Sequence, residues 1–258
     1  MSGATATIPT SPATLTLASH NIHKGLSHFN RRVILDELKS GLHELKPDIV
    51  FLQEVQGLRA APVRRHHGPP VVQHEFLRGD LYTDVVYGQN ATYDKGHHGN
   101  AVLSRFPVLD WENIDISHHR MESRGLLHTR VQVPGWPPLH AVCVHLGLFA
   151  RSRRFQMNLI AERIDEHIPA NEPLILAGDF NDWRGELSAT LEHELNIREA
   201  FAELHGRHAR TFPARLPMLP LDRIYVRGLT VKHAAVLGDE PWAKLSDHAG
   251  LLAEVALG

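Results

Sequence analysis

Residues 174–182 read Leu174-Ile175-Leu176-Ala177-Gly178-Asp179-Phe180-Asn181-Asp182. Four apolar residues followed at once by Gly-Asp describe a buried strand that ends in a carboxylate. The same arrangement recurs along the chain. Asp48-Ile49-Val50-Phe51-Leu52 is a second apolar run and ends at Gln53-Glu54, while residues 14–19 alternate into a strand that ends at His20-Asn21. Residues 139–146 carry His145, residues 221–226 carry Asp222, and Ser246-Asp247-His248 stands just before a last strand at 250–255. Further strands are expected at 101–103 and 126–133. A helix capped by Asn30 places Ile34, Leu38, Leu42 and Leu45 on one face and stops at Pro47. A second helix, capped by Ser152, reaches His167 with Phe155, Leu159 and Ile160 inward. Strands interleaved with helices predict an α/β or α+β fold.

Composition narrows the function classes. The chain has 258 residues, 43% of them hydrophobic, which suffices for a large core in one domain over residues 14–258. Residues 1–13, rich in Thr, Pro and Ala, read as a disordered lead-in without the basic start and apolar stretch of a signal peptide. With 27 basic and 29 acidic residues the net charge is -2. A sequence-independent nucleic-acid binder carries a basic excess instead, because phosphate neutralisation supplies its affinity. Cys143 is the only cysteine, so no internal disulfide forms, which suits a reducing, cytoplasmic location. No apolar run approaches the roughly 18 residues of a membrane span, which leaves peripheral membrane contact open. Two long stretches, 56–78 and 205–220, resist assignment, and long irregular segments of this kind often serve function.

Acidic and polar residues at strand ends suit one chemistry. Hard cations such as Mg²⁺ take oxygen ligands, usually one or two carboxylates with waters and substrate phosphate. Phosphoester cleavage needs charge neutralised on the non-bridging oxygens, a positioned water and a stabilised leaving group. Taken singly, an Asp or Asn after a strand is a turn residue, and His145 is a satisfied buried histidine. Their joint occurrence points to a metal-dependent phosphoesterase.

The motifs also occur in a familiar order. Gln53-Glu54-Val55, the segment from Gly99-Asn100 to Phe106-Pro107, Gly178-Asp179-Phe180-Asn181, Leu221-Asp222-Arg223-Ile224 and Ser246-Asp247-His248 resemble the endonuclease/exonuclease/phosphatase superfamily. Asn21-Ile22-His23-Lys24-Gly25, residues 96–100, residues 122–128 and Thr211-Phe212-Pro213 are similar to its compact bacterial, YbhP-like members. The resemblance implies a DNase I-like, four-layered α/β/β/α sandwich with Mg²⁺ or Mn²⁺ as cofactor. It implies that Asn21 and Glu54 are metal and phosphate ligands, that Asp247 completes the metal site, and that Asp179 and Asn181 belong to that site and orient the attacking water. His248 would contact the phosphate, Asp222 would fix the His248 ring, and His145 would bind the phosphate or assist the leaving group. Arg124 would add a charge-assisted phosphate contact. Where DNase I-like nucleases place a Tyr and a Glu, residues 93–100 offer His97, His98 and Asn100, so His98 and Asn100 are candidate substrate contacts. That departure favours a phosphodiester of a lipid headgroup or small molecule as substrate. A nuclease acting on DNA or RNA is the alternative, and a non-catalytic binding module is the alternative of a different class.

Weaker signals remain. Cys143 and His145 share a strand face and could form a nucleophilic pair, or Cys143 could be a small buried hydrophobe. The doublets His66-His67, His97-His98 and His118-His119 suggest a zinc site only if they converge. Arg59, Arg64 and Arg65 in one loop and Arg207, Arg210 and Arg215 in the other are solvated faces or phosphate partners.

Overall fold

The computed structural model describes residues 11–27, 33–59, 72–94, 96–120 and 122–258. In chain order the elements are β1 (Leu15–Asn21), α1 (Leu35–Leu45), β2 (Ile49–Arg59), α2 (Gln73–Arg78), β3 (Asp84–Tyr93), β4 (Gly96–Ser104), β5 (Val108–Asp115), β6 (Gly125–Val131), β7 (Leu139–His145), α3 (Ala150–His167), β8 (Leu174–Asp179), α4 (Ser188–Leu195), β9 (Arg198–Glu199), α5 (Ala200–His205), β10 (Asp222–Arg227), β11 (Leu229–Leu237) and β12 (Gly250–Leu257). They form two six-stranded sheets, ordered β11-β12-β1-β2-β4-β3 and β5-β6-β7-β8-β10-β9.

The alternation of side chains along a strand builds the layers. Ile49 and Phe51 of β2 point toward the second sheet and meet Leu17, Val102, Cys143, Ile175, Ala177 and Ile224 between the sheets. Val50 and Leu52 point the other way, onto Leu35, Leu38 and Leu42 of α1 and Leu77 of α2. On the far side of the second sheet, Val142, Val144 and Leu176 pack against Ile160 and Ile164 of α3 and Leu191 of α4. Three stacked cores therefore separate four layers, α/β/β/α. Because β2 and β8 feed a core on each face, they read as unbroken apolar runs.

Several boundaries differ from expectation. α1 begins at Leu35; Asn30 lies outside the described residues, as do most of the Arg-rich stretch 56–78, His66-His67 and the first ten residues of the expected lead-in. Within the expected lead-in, the Pro12 carbonyl accepts from Trp136 Nε1 at 3.2 Å. Ser152 is not a cap: α3 starts earlier, and the buried Ser152 hydroxyl pairs with His118 Nδ1 at 3.1 Å. Phe155 is exposed, because Gln156, Met157 and Ile160 occupy the inner face. β2 does not stop at Gln53-Glu54 but continues to Arg59 across a bulge. Leu52 pairs with Ala101 and Val55 with Gly99, so Gln53 and Glu54 together face Asn100. Glu54 takes φ 56° there, and the bulge re-aims its side chain.

Parallel pairing of β1 with β2 and of β7 with β8 brings Asn21, Glu54, His145 and Asp179 to one end of the sandwich. β10 runs antiparallel to β8 with Asp222 opposite Asp179, so its first residue arrives at the same end.

Candidate active site

Asp179 is the hub. It is buried at the end of β8, and its approach depends on Gly178, whose φ is 148° and where a Cβ would lie 1.9 Å from the Val144 carbonyl oxygen. Asp179 Oδ1 accepts the Asn181 N–H at 3.0 Å. Its Oδ2 accepts Asn21 Nδ2 at 3.1 Å, across the gap between the sheets, and faces His145 Nε2 at 3.5 Å and His248 Nε2 at 3.8 Å. Burial raises the Asp179 pKa; the His248 charge and the Asn21 and Asn181 donors pull against it.

His248 is the second centre. Its Nδ1 pairs with Asp222 Oδ2 at 2.9 Å. Burial alone would favour the neutral ring, but Asp222 first and then Asp179 overcome it and raise the His248 pKa, so the ring is a held cation. The loop is locked from both sides: the Ser246 hydroxyl donates to Asn21 O at 2.7 Å and His20 Nε2 donates to His248 O at 3.1 Å. Phe212 covers the His248 ring at 5.1 Å between centroids, which makes it an anchor of its own loop against the site.

His145 has the opposite character. Burial, reinforced by Arg124, His248, His98 and Lys24, drives its pKa well below the ordinary value, so its ring is neutral. Arg124 donates from Nε to Leu146 O at 3.1 Å and lies 3.5 Å from Glu122, which keeps its charge beside the end of β7. His98 stacks on Tyr93 at 5.2 Å, and burial pushes its pKa down to about 4. Its Nδ1 is buried without a hydrogen-bond partner. Asn100 donates to Gly125 O at 3.0 Å and Cys143 O at 3.3 Å, pinning the sheets together and leaving its buried Oδ1 without a partner. Asn181 Nδ2 donates to Leu146 O at 3.0 Å, which ties the loop after β8 to the end of β7.

Two placements admit a cation. Ligand atoms of Asp179, Asp222 and His248 lie within 4.8 Å of one another. In that trio His248 Nδ1 is already hydrogen-bonded to Asp222 Oδ2 at 2.9 Å. The other placement centres on Asn21. Glu54 Oε1 lies 3.5 Å from Asn21 Nδ2, and Asp247 reaches the Ser246 hydroxyl that is bonded to Asn21 O. The Lys24 ammonium lies 3.8 Å from Glu54, and the His23 ring lies 3.8 Å from Asp247. Carboxylate and amide oxygens are the donor set that Mg²⁺ or Mn²⁺ requires, and Glu54, Asp247 and Asn21 Oδ1, which here accepts the His23 N–H at 3.1 Å, supply those atom types.

The remaining candidates separate cleanly. Cys143 sits between the sheets, accepts from Gln53 Nε2 at 3.3 Å and has its thiol pushed up to about 12 by burial, which makes it an unreactive hydrophobe. Among the described residues the His doublets form no convergent metal group. Arg207 and Arg210 line a cavity of about 700 Å³ with Phe201, His205 and His208, a lining that includes none of the site residues. Sequence reasoning missed Arg223, which is fully buried and donates to the carbonyls of Pro220, Asp222 and Asp182, binding together the two loops beside the site. Its place directly after Asp222 in an apolar strand was the available signal.

Comparison with known proteins identifies the family and the fold. The model of the endonuclease/exonuclease/phosphatase family matches residues 18–248. The uncharacterized protein YbhP of Escherichia coli K12 is 44% identical over 239 residues, spanning 92% of this chain and 94% of that relative. Among solved structures, an endonuclease/exonuclease/phosphatase from Beutenbergia cavernae matches with a TM-score of 0.76 at 21% identity, over 96% of this chain and 72% of that one. D. rerio TDP2, solved with a single-strand DNA product, matches with a TM-score of 0.71 at 21% identity, over 95% and 99%.

Proposed function

This chain belongs to the endonuclease/exonuclease/phosphatase family, and from that premise we propose that it is a divalent-metal-dependent phosphoesterase. Its substrate in this proposal is a phosphodiester of a lipid headgroup or small molecule. One observation carries the proposal: a buried carboxylate, Asp179, is ringed by Asn21, His145 and a cationic His248 where the strand ends meet.

Each group has a task suited to its state. Asp179, its basicity raised by burial, orients the attacking water and takes its proton as the new P–O bond forms and the P–O bond to the leaving alkoxide breaks, that oxygen taking a proton from solvent water. His248 donates from Nε2 to a non-bridging phosphate oxygen as the charge develops. Asp222 fixes the His248 tautomer and sustains its charge. Neutral His145 donates a hydrogen bond to the phosphate and is a poor proton source for the leaving oxygen. Asn181 holds the Asp179 carboxylate through its N–H, and Arg124 contributes charge from the side. Asn21, Glu54 and Asp247 would hold Mg²⁺ or Mn²⁺, which when bound supplies Lewis-acid neutralisation of the phosphate. His98 and Asn100, with unpartnered buried acceptor or donor atoms, are the proposed contacts to the rest of the substrate.

The test is hydrolysis of bis(4-nitrophenyl) phosphate, glycerophosphodiesters, phospholipid vesicles and single-stranded DNA, with Mg²⁺ or Mn²⁺ and with EDTA. Asp179→Ala and His248→Ala should each lower kcat by about 10²–10⁴ while the circular dichroism spectrum is retained. Full activity in either variant, or activity untouched by EDTA, contradicts the assignment. Cleavage confined to DNA would replace the substrate class with a nuclease's.

A further inference from the structure

The four most exposed large apolar side chains among the described residues all belong to loops that carry the site. Leu148 (59% exposed) and Phe149 (65%) follow His145; Leu216 (68%) and Met218 (57%) belong to the segment that leads into Asp222. Trp183, shortly after Asn181, and Leu219, shortly before Leu221, are exposed as well. Internal contacts tie both groups to the rim of the site. Arg153 donates to Leu148 O at 2.6 Å and lies 5.0 Å from the centre of the Trp183 ring. Arg223 joins the carbonyls of Asp182 and Pro220. Ala214 N donates to Asp247 O at 2.7 Å. The apolar tips therefore flank Asp179 and His248 on two sides.

Charge accompanies them. Arg151, Arg210 and Arg215 are exposed and make no ion pair among the described residues. Residues 147–153 and 210–220 contain no carboxylate, and in 182–186 the exposed Glu186 is matched by Arg184 at 3.6 Å. Aliphatic and aromatic tips interleaved with arginines suit the boundary between acyl chains and anionic headgroups. A single nucleic-acid strand would call for ring faces on which bases stack, and of the six tips only Phe149 and Trp183 offer one.

We infer that this rim docks the protein on an anionic phospholipid surface and so presents a headgroup phosphodiester to the site. The presentation of substrate rests on the phosphoesterase proposal; the docking does not, because it uses none of the catalytic groups.

The experiment is co-sedimentation in EDTA with vesicles of phosphatidylcholine alone and of phosphatidylcholine with an equal amount of phosphatidylglycerol. The protein should bind the second kind, and added salt should weaken that binding. The pair Leu216→Glu with Met218→Glu, and separately Phe149→Glu, should each weaken it on the order of tenfold or more, with an unfolding midpoint close to that of the parent. Arg210→Glu with Arg215→Glu should do the same. No vesicle binding by the parent, or binding indifferent to these variants, overturns the inference. So does binding to a single-stranded oligonucleotide that the same variants abolish, without vesicle binding. Hydrolysis of a soluble diester by a protein that ignores vesicles removes the docking alone, whereas vesicle binding without hydrolysis of any diester supports the docking and removes the phosphoesterase proposal.

Discussion

Replacing Asp222 by Asn isolates the charge on which His248 depends. The two side chains are buried and 2.9 Å apart. Burial opposes protonation of the ring, and Asp222 is the leading influence that sustains it, ahead of Asp179. Asparagine keeps the shape and an acceptor oxygen but removes the negative charge. A charge-assisted hydrogen bond contributes about 1.5–3 kcal/mol against about 0.5–1.5 for a neutral one. The difference, about 1.3 kcal/mol, corresponds to roughly one pKa unit. The loss of longer-range attraction adds to it, so one unit is the lower bound. Titration of the His248 ring by NMR in the parent and in Asp222→Asn reads the shift directly. The alkaline limb of the rate profile should move to lower pH by the same amount, because the ring must be protonated to hold the phosphate oxygen. A ring titration that stays where it was, or a rate profile that does not move, would refute the claim that Asp222 holds the His248 charge.

Three further outcomes follow from buried groups. His128 Nε2 is hydrogen-bonded to His140 Nδ1 at 2.8 Å, and burial lowers the His128 pKa to about 4. A base whose folded pKa lies below its unfolded value of about 6.5 contributes stability that is present above 6.5 and is lost as pH falls toward 4. The loss at pH 5 is about 2 kcal/mol, and urea unfolding at pH 5 and 7 should show it shrink in His128→Gln; an unchanged pH dependence contradicts this. Gly178→Ala must fit a Cβ 1.9 Å from the Val144 carbonyl oxygen at φ 148°, so it should cost on the order of 3 kcal/mol and displace Asp179; a parent-like melting temperature and rate would count against it. Arg223→Met leaves the carbonyls of Pro220, Asp222 and Asp182 without their donor, a loss of about 3 kcal/mol or more in urea unfolding, and parent-like stability would show that the guanidinium is dispensable.

What the sequence revealed and what it hid have physical causes. Strands β1, β2, β7, β8, β10 and β12 are legible because each is covered by neighbours on both sides and must be apolar. β3, β5 and β11 escaped detection because they are the edges of their sheets, where half the side chains meet solvent and stretches such as Asp110-Trp111-Glu112-Asn113 blur the alternation. The residue types of the site were visible at strand ends, but their partnerships were not. Asn21 and Asp179 are 158 positions apart and belong to different sheets, so only the packing of one sheet on the other reveals their hydrogen bond. The bulge at Gln53-Glu54 was equally hidden, because an added residue in a strand leaves no mark in an apolar run that has already ended.

The most direct measurement is a crystal structure of the protein soaked with Mn²⁺ and phosphate, with the metal located by its anomalous signal. One peak is expected, coordinated by Glu54 and Asp247 beside Asn21, with the phosphate against His248 and the Asp222–His248 hydrogen bond intact. No metal in the cleft, or a metal seated between Asp222 and His248 in place of that hydrogen bond, would contradict it.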